Sequence, residues 1–508
     1  VVRKFCITNT ENPLTGQTVT TNCHGWYNRL VLVASCVITN AVALDMFGFS
    51  VVVAAARCDL ALGLRETGLL ASAPFAGLLF AFPWGYFADM HGRRRALLVS
   101  TCVGFLFAAL SSFSTSWQMM LALKLIGCSF STAGFTLAVA YVGECTGTAR
   151  RSRYQFFLNS SNLASEIVAF SLASLILPLT FTVPLPWLSM AYRSWRLYTL
   201  VLALPLGMGA LMISFLHESP KFLANVGQTD KALEVMKKIY TMNGGNKIEF
   251  PVQSLMKIEV KSKASFWRSV VKQTVPLFKP PLLWRTLQLT FLMAVCCSTN
   301  NVFLMWFPSV VNIFFNSLSN GNGSNSGFCQ HIQDNTTVTT PISDTGFVST
   351  SNVTCDDTIS LNAIYSGIIL GIFLTLLNLS VSKVASYRRL VLVSILLLAT
   401  VSCFLVGLLK YPLASLLFFA MIQSTAVGLA SINSYFVDLY PTSYRGLATS
   451  LAAMIARFTS FVGVIAIGNV IIEHCDITFY LWAIFTLSKC SLILFELTID
   501  NSTSTDKM

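Results

Sequence analysis

Apolar stretches of about twenty residues recur from end to end of this chain. A stretch of that length and character fits a helix across a hydrocarbon layer ~30 Å thick. Twelve of them run at roughly 30–51, 68–87, 96–114, 117–140, 155–178, 195–216, 286–311, 360–381, 389–409, 412–437, 446–470 and 477–497. A polar gap from His217 to Arg285 splits them into six and six. The expected architecture is an all-α membrane protein of twelve transmembrane helices. Its parts are an N-terminal segment (1–29), a six-helix bundle (30–216), a linker (217–285), a second six-helix bundle (286–497) carrying a polar loop (312–359), and a tail (498–508). Composition agrees, since only 11% of the residues are charged and 54% are hydrophobic, against about 25% charged in soluble domains.

A net charge of +12 over 508 residues would point to nucleic acid in a soluble protein. Here the basic residues sit in loops, where membrane topology accounts for them. Arg93, Arg94 and Arg95 follow the second stretch, Arg150, Arg151 and Arg153 the fourth, and Lys383, Arg388 and Arg389 the eighth. The linker is rich in lysine. All of these fall on one side if both termini are cytoplasmic. The opposite side agrees, because Asn312 to Ile359 has no Lys or Arg and holds N-x-S/T sequons at Asn322, Asn335 and Asn352, as a glycosylated lumenal or extracellular loop would. Cys329 and Cys355 lie in that loop, and a disulfide between them is expected in an oxidising compartment. Most other cysteines, among them Cys36, Cys102, Cys128, Cys296, Cys297 and Cys403, lie in apolar runs and are expected to be free buried thiols. Val1 to Arg29 is polar and begins without Met, as expected of a trimmed or incomplete N-terminus. In the linker, Leu233, Met236 and Tyr240 stand at helical spacing, predicting a helix that braces the cytoplasmic face or binds a partner.

The stretch from Gly85 to Arg95 (GYFADMHGRRR) packs an acid, Asp89, two glycines, Gly85 and Gly92, and three arginines between two apolar runs. It is expected to form a tight cytoplasmic turn: glycine permits the turn and the arginines stay in the cytoplasm. Two further loops pair an acid with a later arginine at a helix end, Glu144 with Arg150 and Asp438 with Arg445. The corresponding loop of the second half, Ser382 to Arg389, lacks the acid and the glycines.

G-x-F-A-D-x-x-G-R-R-R closely resembles the loop signature of the major facilitator superfamily. Glu218-Ser-Pro-Lys-Phe222 and Val437-Asp-Leu-Tyr-Pro-Thr-Ser-Tyr-Arg-Gly446 resemble marks of its sugar-porter and organic-ion branches. Tyr192-Arg-Ser-Trp195-Arg196, Trp306-Phe-Pro308 and the glycosylated loop after the seventh stretch resemble the synaptic vesicle glycoprotein 2 family. Set against the large lumenal domain of that family's vertebrate members, the chain is expected to be a divergent relative with a shorter lumenal loop. The resemblance implies two halves rocking about a central cavity. It also implies that Gly85, Asp89, Gly92, Arg93, Arg94, Glu144, Arg150, Asp438 and Arg445 latch one state rather than touch solute.

Charges inside apolar segments cost about 2.5–3.5 kcal/mol on insertion scales and mark function. Asp45 is either a proton carrier or half of a structural ion pair, and by resemblance it falls near a pair of acids in the family's first helix. Glu166 shares a helical face with Asn159 and Asn162, at spacings of four, three and seven. Arg457 would neutralise a carboxylate or an anionic solute, or pair near the cytoplasm. Lys124 resembles an arginine that opens a glycine-rich fourth helix. Trp306 is an interfacial tryptophan by position, whereas the resemblance puts it at the cavity; Pro308 is expected to kink or end its helix. His24, His91, His217, His331 and His474 lie mostly in loops, and neither a Walker loop, a nucleophile–base pair nor a metal-ligand set stands out. The expectation is a membrane protein without cofactor or metal and not an enzyme, a monomer whose partners are the bilayer, a small organic solute and a proton, but not nucleic acid. It would carry a sugar or an organic ion by alternating access. The alternative is a transporter-like vesicle glycoprotein acting in trafficking or partner binding.

Overall fold

A computed structural model describes residues 25–246 (except 80, 147 and 189), 248, 250, 275–280, 282–319, 327–337, 359–383, 388–440, 442–471 and 474–488. The N-terminal half contains α1 (Trp26–Met46), α2 (Phe49–Ala55), α3 (Leu64–Leu78), α4 (Ala81–His91), α5 (Arg93–Ser111), α6 (Trp117–Ser131), α7 (Ala133–Cys145), α8 (Thr148–Leu163), α9 (Ser165–Ile176) and α10 (Ser194–Ser214). A hairpin of β1 (Val183–Leu185) and β2 (Met190–Tyr192), in antiparallel register Val183↔Tyr192, separates α9 from α10. The linker holds α11 (Pro220–Asn225) and α12 (Thr229–Met242). The second half contains α13 (Leu282–Ser319), α14 (Phe328–Thr337), α15 (Leu361–Lys383), α16 (Arg388–Leu408), α17 (Pro412–Met421), α18 (Thr425–Leu439) and α19 (Thr442–Val470), then α20 (Cys475–Ser488).

Among the described residues nine helical stretches are long and apolar enough to cross a membrane. α3 with α4, and α8 with α9, make the second and fifth crossings in two pieces, and α20 begins the twelfth. The result is the twelve-helix, six-plus-six, all-α arrangement. Some expectations change. The stretch from Gly85 to His91 is helix, the end of α4, and only Gly92 turns, at φ +103°. Helix geometry needs no glycine at position 85, whereas positive φ does at 92. Pro308 lies inside α13, which continues to Ser319; neighbouring helices tolerate a proline there. The buried face of α12 is Ala232, Met236 and Ile239, with Leu233 and Tyr240 half-buried, one step round from the expected stripe. That face turns inward, as the bracing reading requires.

Cys329 does not pair with Cys355, which lies outside the described residues. It is bonded to Cys475, with a Cα–Cα distance of 5.5 Å across 146 positions. The reason is packing. Phe328 of α14 is fully buried against Phe314, Phe419 and Phe479, which places the start of α14 on the start of α20. Burying these aromatic rings stabilises the contact and brings the two cysteines together.

The two bundles meet along two seams, α3 against α19 and α9 against α15, with α2 on α13. Small residues permit close approach. A methyl on Gly468 of α19 would stand 2.7 Å from the Trp306 ring, and Gly68 Cα lies 3.3 Å from the same point. On the other seam Gly367 of α15 receives the Phe170 ring, and Gly371 abuts Ile167 and Glu166. These contacts lie toward the end of the molecule opposite Gly92.

Candidate functional site

Asp45 is buried near the end of α1, just before the helix breaks at Phe47–Gly48. Lys124 of α6, also buried, donates to Asp45 Oδ1 at 2.6 Å and lies 4.5 Å from the Phe49 ring centroid. Ser131 Oγ donates to Oδ2 at 2.8 Å and Cys128 Sγ approaches it at 3.5 Å. Both carboxylate oxygens are therefore satisfied. Such satisfaction is the condition under which a buried ion pair is tolerable at all.

Glu166, on the first turn of α9, is 5% exposed and makes no hydrogen bond or ion pair among the described residues. It lies one turn from Phe170, whose ring meets Phe307 edge-on at 6.2 Å across the bundle boundary. The break at Ala164 separates its turn from that of half-buried Asn162. The neighbouring residue of Phe307, Trp306, faces the other seam. The residue is 3% exposed, and its Nε1 donates to the Val464 carbonyl at 3.0 Å. Trp306 is thus buried inside the bundle contact rather than placed at a membrane interface.

Toward the Gly92 end, α13 presents Asn300 and Asn301. Asn301 Nδ2 lies 3.1 Å from Ser460 Oγ and 3.2 Å from Cys297 Sγ, and Asn300 Nδ2 lies 3.2 Å from Asn301 Oδ1. Among the described residues, Asn300 Oδ1 and both amide atoms of Gln423 are buried without a hydrogen-bond partner. Gln423 occupies a 3₁₀ turn, Ile422–Ser424, between α17 and α18; such interruptions often mark functional hinges. A methyl on Gly428 would stand 3.8 Å from Cys296 Sγ. One turn on from that contact in each helix, Gln423–Ser424 and Asn300 share a depth. Composition did not single out Gln423, because one amide in an apolar run reads as packing.

The Gly92 end is cross-tied. Glu218 Oε1 accepts from Arg94 N at 2.9 Å and Ser219 N at 3.0 Å. Arg94 Nη2 donates to the Ser214 carbonyl at 2.6 Å, and Arg93 Nε meets Glu144 Oε1 at 3.4 Å. The Tyr141 hydroxyl donates to the His217 carbonyl, and His217 N donates to Tyr27 Oη at 3.1 Å. Asn243, just past α12, accepts from Tyr27 N at 3.0 Å and donates to Asn28 at 2.8 Å. Burial, then the nearby Lys238 and Arg94, hold the His217 imidazole below its usual range. Sequence reasoning gave Glu218 no role, although its motif was visible. Gly85 sits in open space. The side chains of Asp89, Arg150, Asp438 and Arg445 lie outside the described ones, as do those of Asn322, Asn335 and Asn352.

At the opposite end Asp59 accepts from Arg196 Nη2 at 2.9 Å and Trp195 Nε1 at 3.1 Å. Arg196, 2% exposed, also donates to the Ser114 carbonyl at 2.6 Å. This gives the Tyr192–Arg196 motif a structural task, clasping α10 to the loop after α2. Among the described residues no group of His, Cys, Asp and Glu could hold a metal.

The sequence model of the Major Facilitator Superfamily matches residues 34–328. The chain belongs to the Major Facilitator Superfamily. The matched region includes the Asp45–Lys124 pair, the Gly92 end and Trp306. Synaptic vesicle glycoprotein 2C of Mus musculus is 28% identical over 282 residues, which are 52% of this chain and 38% of that protein. Organic cation/carnitine transporter 7 of Arabidopsis thaliana is 29% identical over 205 residues, 40% of this chain and 38% of that protein. The chain therefore matches about two fifths of the length of these relatives. In fold, a partially occluded inward-open form of the xylose transporter XylE from E. coli is similar over 92% of this chain and 99% of its own, with a TM-score of 0.64 at 12% identity. As a superfamily member the chain is an integral, multi-pass membrane protein of a transporter family.

Proposed function

We propose that this protein carries a small organic solute, of the sugar or organic-ion class, by alternating access coupled to protons. One observation carries the reading. The bundles close on each other at one end through Gly68, Gly468, Trp306, Phe170 and Phe307, and Asn300 Oδ1 and the Gln423 amide, which have no hydrogen-bond partner among the described residues, lie just beneath that seal. A sealed end above an unsatisfied polar interior is what one state of an alternating carrier requires. Asp45 is the proposed proton carrier, with Lys124 and Ser131 holding its carboxylate in place. Gly92, Arg93, Arg94 and Glu144, with Asp89, Arg150, Asp438 and Arg445, form the proposed cytoplasmic latch, and both termini face the cytoplasm. The sequons at Asn322, Asn335 and Asn352 support passage along the secretory route, to a vesicle or the plasma membrane. A second reading, trafficking or partner binding, draws on the second-half loop that lacks the acid and glycines, and on the vesicle-protein relatives.

The test is uptake into proteoliposomes holding the purified protein, screened over sugars and organic ions with and without an imposed proton gradient. Asp45→Asn is expected to abolish gradient-driven accumulation while downhill exchange of the same solute persists. Accumulation that survives Asp45→Asn would refute the coupling, and absence of uptake for every class would favour the second reading.

A further inference from the structure

We infer that the β1–β2 hairpin docks on the lipid bilayer. Trp187 and the apolar run before it settle in the interfacial layer of the leaflet at the end opposite Gly92. The partner is a lipid surface met by apolar contact, and the docking is independent of which solute the protein takes.

From Leu175 to Tyr192 the chain holds no Asp, Glu, Lys or Arg. Leu175, Leu179, Val183, Pro184 and Pro186 are exposed, and Trp187, in the turn, is 74% exposed. Contiguous apolar exposure of this kind marks an interaction site. A bare indole is costly in water and suited to a membrane boundary, where its body meets hydrocarbon and its N–H meets water. The loop after α2, at the same end, differs in carrying Arg57 and Asp59.

The base of the hairpin fixes its place. Tyr192 Oη lies 3.1 Å from Ser112 Oγ, and the Tyr192 ring centroid lies 5.7 Å from that of Phe113, both just past α5. One residue on, Arg193 meets Asp59 at 3.6 Å. The base is thus held where α5 ends and α10 begins. The exposed stripes of these helices, Leu106 and Leu110 on α5 and Leu204 and Met208 on α10, are apolar. In a chain that spans a membrane such stripes face lipid. So do Val168 and Leu175 of α9, and the chain runs on from them through Leu179 and Val183 to Trp187. The hairpin therefore continues a lipid-facing surface. Its level agrees. Among the described residues the exposed tryptophans are Trp26, Trp187 and Trp284. Trp26 and Trp284 stand where α1 and α13 begin, at the Gly92 end, and Trp187 is their counterpart at the other. Tryptophans at two levels mark the two boundaries of a bilayer.

The hairpin is built for shallow insertion. From the Val183↔Tyr192 pair to the turn is three residues, or ~10 Å, close to the ~5–10 Å to which interfacial segments bury their apolar face. A backbone N–H taken from water must find a partner. Pro178, Pro184 and Pro186 have none to satisfy, and the strand pairing serves others. Because Tyr192 and Arg193 tie the hairpin to α5 and to the loop after α2, its lipid contact sets the depth of the first bundle.

The test reads Trp187 alone, as the difference in tryptophan emission between the parent and Trp187→Phe. Both are placed in phosphatidylcholine nanodiscs, one copy to a disc. The Trp187 component is expected to be blue-shifted from tryptophan in water and quenched several-fold by lipids brominated near the headgroup end of the chain. It should also be shielded from aqueous iodide. A second comparison keeps Trp187 as reporter and adds Leu179→Glu with Val183→Glu beside it. Its emission should move to the red and lose most of the lipid quenching. Hydroxyl-radical labelling of the unaltered protein gives the answer without any substitution: Trp187 should be protected in nanodiscs. Water-like emission open to iodide, or labelling at the rate of free tryptophan, overturns the inference. Lipid quenching that both glutamates leave unchanged overturns it as well. Shielding from iodide without lipid quenching also overturns it. Seen with one copy to a disc, that result folds the hairpin back on its own chain; seen only with two, it makes the face a contact between copies.

Discussion

At the scale of single residues, the chain separates charges that are satisfied from charges that are not. Asp45 drew notice because a carboxylate in an apolar run is expensive, and Lys124 because of its place before a run of small residues. That they are each other's partner, 79 positions apart at 2.6 Å, was not legible, because helix packing and not spacing brings them together. His217 shows the same limit. Nothing in its neighbours along the chain marks it, yet its ring stacks on Tyr27 and its backbone holds both Tyr27 and Tyr141. Burial, with Lys238 and Arg94 beside it, favours the neutral imidazole. The unfolded chain therefore binds that proton more readily than the fold does. Stability should be retained above the ordinary histidine range, about 6.5, and fall as pH drops through it. Thermal midpoints from about pH 5 to pH 8 should show this acid slope, and His217→Gln should flatten it while leaving the neutral-pH midpoint near that of the parent. Equal slopes in the two proteins would remove His217 as its source.

At the scale of elements, the instructive case is the joint between α4 and α5. Its glycines and arginines were legible as a turn, but the turn is one residue, Gly92, at φ +103° and ψ 153°, a region essentially closed to other residues. The second constraint comes from elsewhere: a side chain at 92 would strike the carboxylate of Glu218, which caps the start of α5 through Arg94 N. Gly92→Ala should therefore cost about 1–3 kcal/mol and loosen α5 from the end of α10. Thermal unfolding and hydrogen exchange at Arg93–Ala96 would read it, and parent-like values in both would discount this joint as a latch. The α14 element makes the complementary point. Proximity in sequence argued for Cys355 as the partner of Cys329. The burial of Phe328 among rings from three other helices chose Cys475 instead.

At the scale of the whole molecule, two bundles of six helices rest on each other through glycines and three aromatic rings. Gly468→Leu would drive a side chain into the Trp306 ring and the Gly68 backbone, with small-to-large insertions costing about 1–3 kcal/mol. The expected result is separation of the α3 and α19 ends. It is measurable as a longer spin-label distance between Arg65→Cys and Asn469→Cys, both exposed sites; an unchanged distance distribution would mean the seam is not the closing contact. Sequence alone determined the number of crossings, their division into six and six, the gathering of arginines in short loops between them, and the presence of charges where none is cheap. It could do so because bilayer thickness and the cost of burying charge act locally, on any segment, whatever its neighbours. Tertiary structure alone decided which charge meets which, which cysteines join, and that Trp306, Gly68 and Gly468 form one seal. Those outcomes depend on how helix faces dock, and docking energies are sums over contacts between residues far apart in the chain.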